Sequence, residues 1–131
     1  MTGEVQYDRT ATVPITIRGQ DRADDITVAA IIDTGFDGFL SLPAAMVALL
    51  RLDYLGQMQT TVFGGFAATF DLHPAIVLFA DEERGIVLTA AENPPLIGMS
   101  LLYGSKLTVD VVDGGAVSIE PLPFDPIMEG T

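Results

Sequence analysis

Short apolar runs broken by glycine and proline constrain this chain more than any other feature. TATVPITIRG (10–19) alternates and is rich in Val, Ile and Thr, the pattern of a half-buried strand. After the polar turn QDRADD, ITVAAIID (26–33) reads as the returning strand of a loose hairpin. FLSL (39–42) predicts a short strand. MQTTVFGGFAATFDLHPAIVLF (58–79) predicts two strands joined through Gly64-Gly65, and GIVLTA (85–90) one more. KLTVDVV (106–112) and AVSIE (116–120) predict a last hairpin. Helical signals are few. Pro43 suits a first helical turn before AAMVALLRL, giving a helix over 43–51, and PPLIGMSLLYG (94–104) holds at most two turns between its turn residues. The expected fold is mostly β: a partly closed barrel or sandwich with one or two short helices. At 131 residues, with no internal repeat, one domain is expected. The proline-rich tail from 121 to 131 is expected to be loose or extended.

Eighteen acids against six bases give a formal charge of −12, which argues against nucleic acid and anionic membrane surfaces as partners. The absence of cysteine excludes disulfides and thiolate metal sites and fits a reducing, cytoplasmic setting. MTGEVQYDRT lacks the basic and apolar regions of a signal peptide, and the longest helical apolar segment, LPAAMVALL, is too short to span a bilayer.

Within this pattern Asp33 stands out. Ala29-Ala30-Ile31-Ile32 runs directly into Asp33-Thr34-Gly35, and a second apolar run follows. Asp-Thr-Gly alone is also an ordinary way to end a strand in a turn. A carboxylate delivered by an apolar strand must, however, be hydrogen-bonded or paired. Gly35 lets other backbone come close to the bend. Asp33 is therefore a candidate general acid or base.

Three motifs occur in order: Ile31-Ile32-Asp33-Thr34-Gly35, then Phe63-Gly64-Gly65-Phe66, then Leu96-Ile97-Gly98 with Leu101-Leu102. Together they resemble the retropepsin-like aspartic proteases, most closely their small single-domain bacterial members. The resemblance covers roughly residues 10–120, which would form the domain after an N-terminal segment, 1–9, and before the tail.

The resemblance implies an aspartic endopeptidase acting on peptide or protein substrates. The chain carries one Asp-Thr-Gly where the chemistry needs two aspartates, so a homodimer is implied, with one Asp33 from each subunit at the axis. Two carboxylates that close share a proton, and neither metal nor other cofactor is required. By motif, Asp33 is the catalytic acid and base. Thr34 would brace the two loops across the axis, and Gly35 would admit substrate backbone. Asp37 would bind substrate main chain, and Phe63, Gly64, Gly65 and Phe66 would form the tip of a flap. Asp37-Gly38 also reads as a plain turn, and Phe63 and Phe66 as core residues. Leu96-Ile97-Gly98 is expected to pack beneath the Asp33 loop.

Two departures bear on the site. Phe36 stands where many relatives carry Ala or Ser. Met99 stands where viral relatives place an arginine that pairs with the acid matching Asp37, which leaves Arg9 as an alternative partner. These departures motivate a second reading, a non-catalytic dimeric module that binds extended peptide by strand addition. A third is a β-barrel scaffold in which Asp33 caps a turn. His73 is expected to be exposed or hydrogen-bonded rather than a ligand. Asp110 and Asp113 are expected to face solvent. A carboxylate site for Mg²⁺ or Ca²⁺ from Asp33, Asp37 and Asp113 has no supporting spacing.

Overall fold

The computed structural model describes residues 1–61 and 64–123. Among these residues ten strands and two short α-helices follow in order, with a 3-10 turn at Arg22–Asp24: β1 (Thr2–Val5), β2 (Ala11–Ile17), β3 (Ile26–Ile32), β4 (Leu40–Pro43), α1 (Ala44–Leu50), β5 (Gly56–Thr61), β6 (Ala67–Phe79), β7 (Glu82–Ala91), β8 (Leu96–Ile97), α2 (Met99–Leu102), β9 (Ser105–Val109) and β10 (Ala116–Pro121). The fold is mostly β, as the alternating runs predict.

β2 shows how sequence becomes structure. Val13, Ile15 and Ile17 point inward and are fully buried, while Thr16 faces out and shares a 2.7 Å hydroxyl contact with Thr27 of β3. Fully burying an aliphatic side chain of this kind contributes roughly 1.5–3 kcal/mol.

Six strands close on themselves in the cyclic order β6-β7-β4-β8-β3-β2, and the β2–β6 ladder completes the ring. Leu40, Leu42, Val77, Phe79, Leu88, Ile97 and Leu101 fill its interior. β5 extends the sheet beyond β6, while β1, β10 and β9 extend it beyond β2.

The two strand-interior prolines mark where strands change partners. On one edge β2 pairs with β1 at residues 11–12 and with β6 at 16–17, and Pro14 lies between. On one edge β6 pairs with β5 at 67–72 and with β2 at 77–78, and Pro74 lies between. A residue with no N–H is tolerated where no ladder donor is needed.

The structure adds to or corrects the sequence reading in several places. Pro43 ends β4 and the helix begins at Ala44, and the strand expected over 106–112 stops at Val109. The N-terminal segment 1–9 contributes β1, which pairs with both β10 and β2. The Ala29–Ile32 run is not buried throughout. Ala30 is fully buried, Ala29 is exposed and Ile31 and Ile32 are half-buried, because one face of β3 lies outside the barrel. Residues 94–104 hold a two-residue strand before a single helical turn. The tail from residue 124 onward lies outside the described residues.

Candidate active site

Asp33 follows β3 directly and opens a loop, residues 33–39, that leads into β4. β8 is inserted between these two strands, parallel to β3 (Ile31↔Leu96, Ile32↔Ile97) and antiparallel to β4 (Leu40↔Ile97). The loop therefore arches over Ile97, Gly98 and the start of α2.

Backbone hydrogen bonds hold the arch from both sides. Asp33 N–H donates to the Ile97 carbonyl at 2.9 Å, and Gly98 N–H donates to Phe39 at 3.0 Å. The first N–H groups of α2 have no partners within their own helix and are used by the loop instead. Met99 N–H donates to the Phe36 carbonyl (2.8 Å) and Ser100 N–H to the Gly38 carbonyl (3.1 Å). The Ser100 hydroxyl donates to the Asp37 carbonyl at 2.5 Å.

The carboxylate itself is oriented locally. Gly35 N–H donates to Asp33 Oδ1 at 2.9 Å, and Phe36 N–H closes onto the Asp33 carbonyl at 3.1 Å. This is the turn an aspartate makes with the backbone two residues on. Asp33 is half-buried, while Thr34, Gly35 and Asp37 are exposed. One chain thus presents a fixed carboxylate with an open Thr34-Gly35 surface beside it.

Phe36 has a clear seat. A β-carbon on Gly38 would lie 2.5 Å from its ring, and one on Gly98 2.7 Å from it. The two glycines leave room for the aromatic ring. Asp37, Phe39, Met99, Ser100 and Tyr103 line a neighbouring depression of about 570 Å³.

β5 and the first half of β6 form a hairpin whose residues are mostly exposed on both faces. At its tip Gly64 and Gly65 take φ of 93° and 80°, which glycine adopts freely. Phe66 is 74% exposed, so it is not a core residue. Phe63 lies outside the described residues.

Arg9 sits in the β1–β2 turn. Among the described residues the ion pairs are made by Arg18 with Asp25 and Glu83, and by Arg51 with Asp21 and Asp24, not by Arg9 with Asp37. Ile97, Leu101 and Leu102 are buried beneath the loop, the packing role expected of that segment. His73 Nδ1 contacts the Asp53 carbonyl at 2.9 Å, with the Tyr54 ring edge-on at 5.8 Å. Asp110 and Asp113 are exposed. Among the described residues no cluster of three or more His, Asp or Glu is arranged to hold a metal, and no helix is long and apolar enough to cross a membrane.

Solved structures share this fold. A retropepsin-like aspartic protease from Rickettsia conorii superposes with a TM-score of 0.57 at 13% identity, covering 93% of this chain and 90% of that one. The fold is that of the retropepsin-like aspartic proteases. The EIAV protease in complex with the inhibitor HBY-793 matches at 0.51 and 19% identity, covering 73% of this chain and 88% of its own. The simian foamy virus (mac) protease matches at 0.50 and 15%, covering 70% and 90%. No family model and no curated protein matches the sequence. In this chain of retropepsin-like fold, Ser100 and the Phe36 seat are elements the sequence does not announce. Their only signal is a hydroxyl residue two positions after Gly98, and a contact between distant glycines leaves none.

Proposed function

We propose that the chain is an aspartic endopeptidase whose active site is completed across a homodimer. The observation carrying this reading is the Asp33 loop. The carbonyls of Asp33, Phe36, Asp37, Gly38 and Phe39 are all engaged, and the Thr34-Gly35 surface is left open beside a single oriented carboxylate. The retropepsin-like fold supports it.

In this reading the two Asp33 carboxylates share one proton. The ionised one takes a proton from a water as the water oxygen bonds to the scissile carbonyl carbon. The protonated one gives its proton to the carbonyl oxygen. The carboxyl that took the water's proton then passes it to the amide nitrogen, and the C–N bond breaks to release the amine. A hydroxyl of the diol returns its proton to the other carboxylate, restoring the shared proton. Thr34 braces the paired loops, Gly35 admits substrate backbone, and Asp37 binds substrate main chain. Phe63, Gly64, Gly65 and Phe66 close over an extended peptide and exclude water.

The test is cleavage of a broad peptide library from acidic to neutral pH, with the association state measured in parallel. Turnover by wild type that Asp33→Asn abolishes is the expected result. Dimers without turnover at any pH, or equal cleavage by the variant, would sink the proposal. Peptide binding that survives Asp33→Ala, with no turnover by wild type, would instead establish the non-catalytic binding module.

A further inference from the structure

A groove of about 690 Å³ opens where β6 changes partner. It is framed by residues 18–20, 51–53, 74–76 and 85–87, together with Phe39. Its walls are mainly apolar, and Ile76, on β6, is 44% exposed. Pockets of this size hold one or two large side chains or a small ligand.

The backbone adds an acceptor. The Leu72 carbonyl accepts from Leu55 N–H and the Ile76 carbonyl from Arg18 N–H, both at 2.8 Å. Pro74 lies midway between, and alternation along a strand directs its carbonyl to the same edge. Among the described residues no strand pairs with 73–75 on that edge. An incoming N–H therefore finds an acceptor at Pro74.

The charged residues lining the groove are Arg18, Arg51 and Asp53, and carboxylates paired with the two arginines outnumber them. Arg18 is engaged by Asp25 and Glu83, and Arg51 by Asp21 and Asp24. Asp53 lines the groove as well. Counting these partners and Arg22, whose charge is felt at Asp25, five carboxylates stand against three guanidinium groups in and beside the groove, in a chain of formal charge −12.

We propose that this groove docks a segment of another polypeptide, one carrying an aromatic or aliphatic side chain flanked by lysine or arginine. The apolar side chain fills the floor over Ile76, a backbone N–H meets the Pro74 carbonyl, and the flanking cations meet Asp53 and the carboxylates beside the groove. Asp33 does not line the groove, and docking there does not depend on peptide hydrolysis.

Fluorescence anisotropy with a labelled KFKLK peptide and its charge-reversed counterpart EFELE tests this on the full chain. KFKLK is expected to bind at least about tenfold more tightly than EFELE, with the difference shrinking as salt rises. Ile76→Arg should weaken KFKLK by about tenfold or more, and Asp53→Asn by about two- to threefold. Both positions are exposed, and circular dichroism would check that each variant keeps the fold. Asp33→Asn should leave binding unchanged. The proposal is overturned by charge-blind binding, by binding that Ile76→Arg leaves intact or Asp33→Asn abolishes, or by none up to about 1 mM. Occlusion of the groove by a second copy, seen as self-association that Ile76→Arg abolishes, also overturns it.

Discussion

Gly98 and Gly38 meet backbone to backbone: a β-carbon on Gly98 would lie 2.2 Å from the Gly38 carbonyl oxygen. That contact seats the Asp33 loop on β8. Gly98→Ala must push the loop away and is expected to lower stability by about 1–3 kcal/mol, a fall in Tm of roughly 3–10 °C. If the chain cleaves peptides, turnover should fall by roughly a hundredfold, because small displacements of a reacting group are costly. Gly85 has nothing within 4 Å of the same position, so Gly85→Ala should leave both quantities nearly unchanged. Thermal melting of the two variants side by side checks the contrast.

Ser100 ties α2 to the loop through the Asp37 carbonyl. The bond is exposed, so Ser100→Ala is expected to cost only about 0.5–1 kcal/mol. Ser100→Thr, which keeps the hydroxyl, should recover most of that loss. Denaturant melts of the three proteins decide it, and equal midpoints for wild type and the alanine variant would contradict the role.

Asp25 governs part of the acid response. Its carboxyl is held below the usual carboxylate range, first by Gly19 N–H and next by the Arg18 guanidinium, at 2.9 and 2.8 Å. The folded state therefore binds its proton less readily than the unfolded chain. That contribution to stability is fully present above the unfolded value, about pH 4, and is lost as pH falls through the lower folded value. Asp24, held down chiefly by Arg51, acts in the same direction. Asp25→Asn should be less stable than wild type at neutral pH, and the gap should narrow as pH drops below about 4. Melting curves taken from neutral pH down to strong acid would show it.

Association should respond to charge. Each subunit of the proposed homodimer carries −12, so the two repel at neutral pH. Added salt or mild acid is expected to tighten the dimer. Sedimentation velocity across both variables measures this, and a dimer indifferent to them would refute it.

Much of the candidate site is legible in the chain. Asp33 ends an apolar run and Gly35 follows at the spacing of an aspartate turn, both local features. The Gly64-Gly65 hairpin is legible for the same reason, since positive φ falls to glycine. β1 escapes notice because TGEV has no apolar alternation of its own and is held by β10 and β2. β8 escapes because two residues are too few to show a period.

What the sequence by itself determined is the material: a β-rich single domain, its turns, and an aspartate placed at one of them. These depend on neighbours a few residues apart, where side-chain alternation and allowed backbone angles decide the outcome. Tertiary structure alone decided the closure of β2 on β6, the insertion of β8 beneath the Asp33 loop, and the groove at Pro74. Each requires hydrogen bonds and close packing between segments distant in the chain, and no local preference encodes which segments will meet.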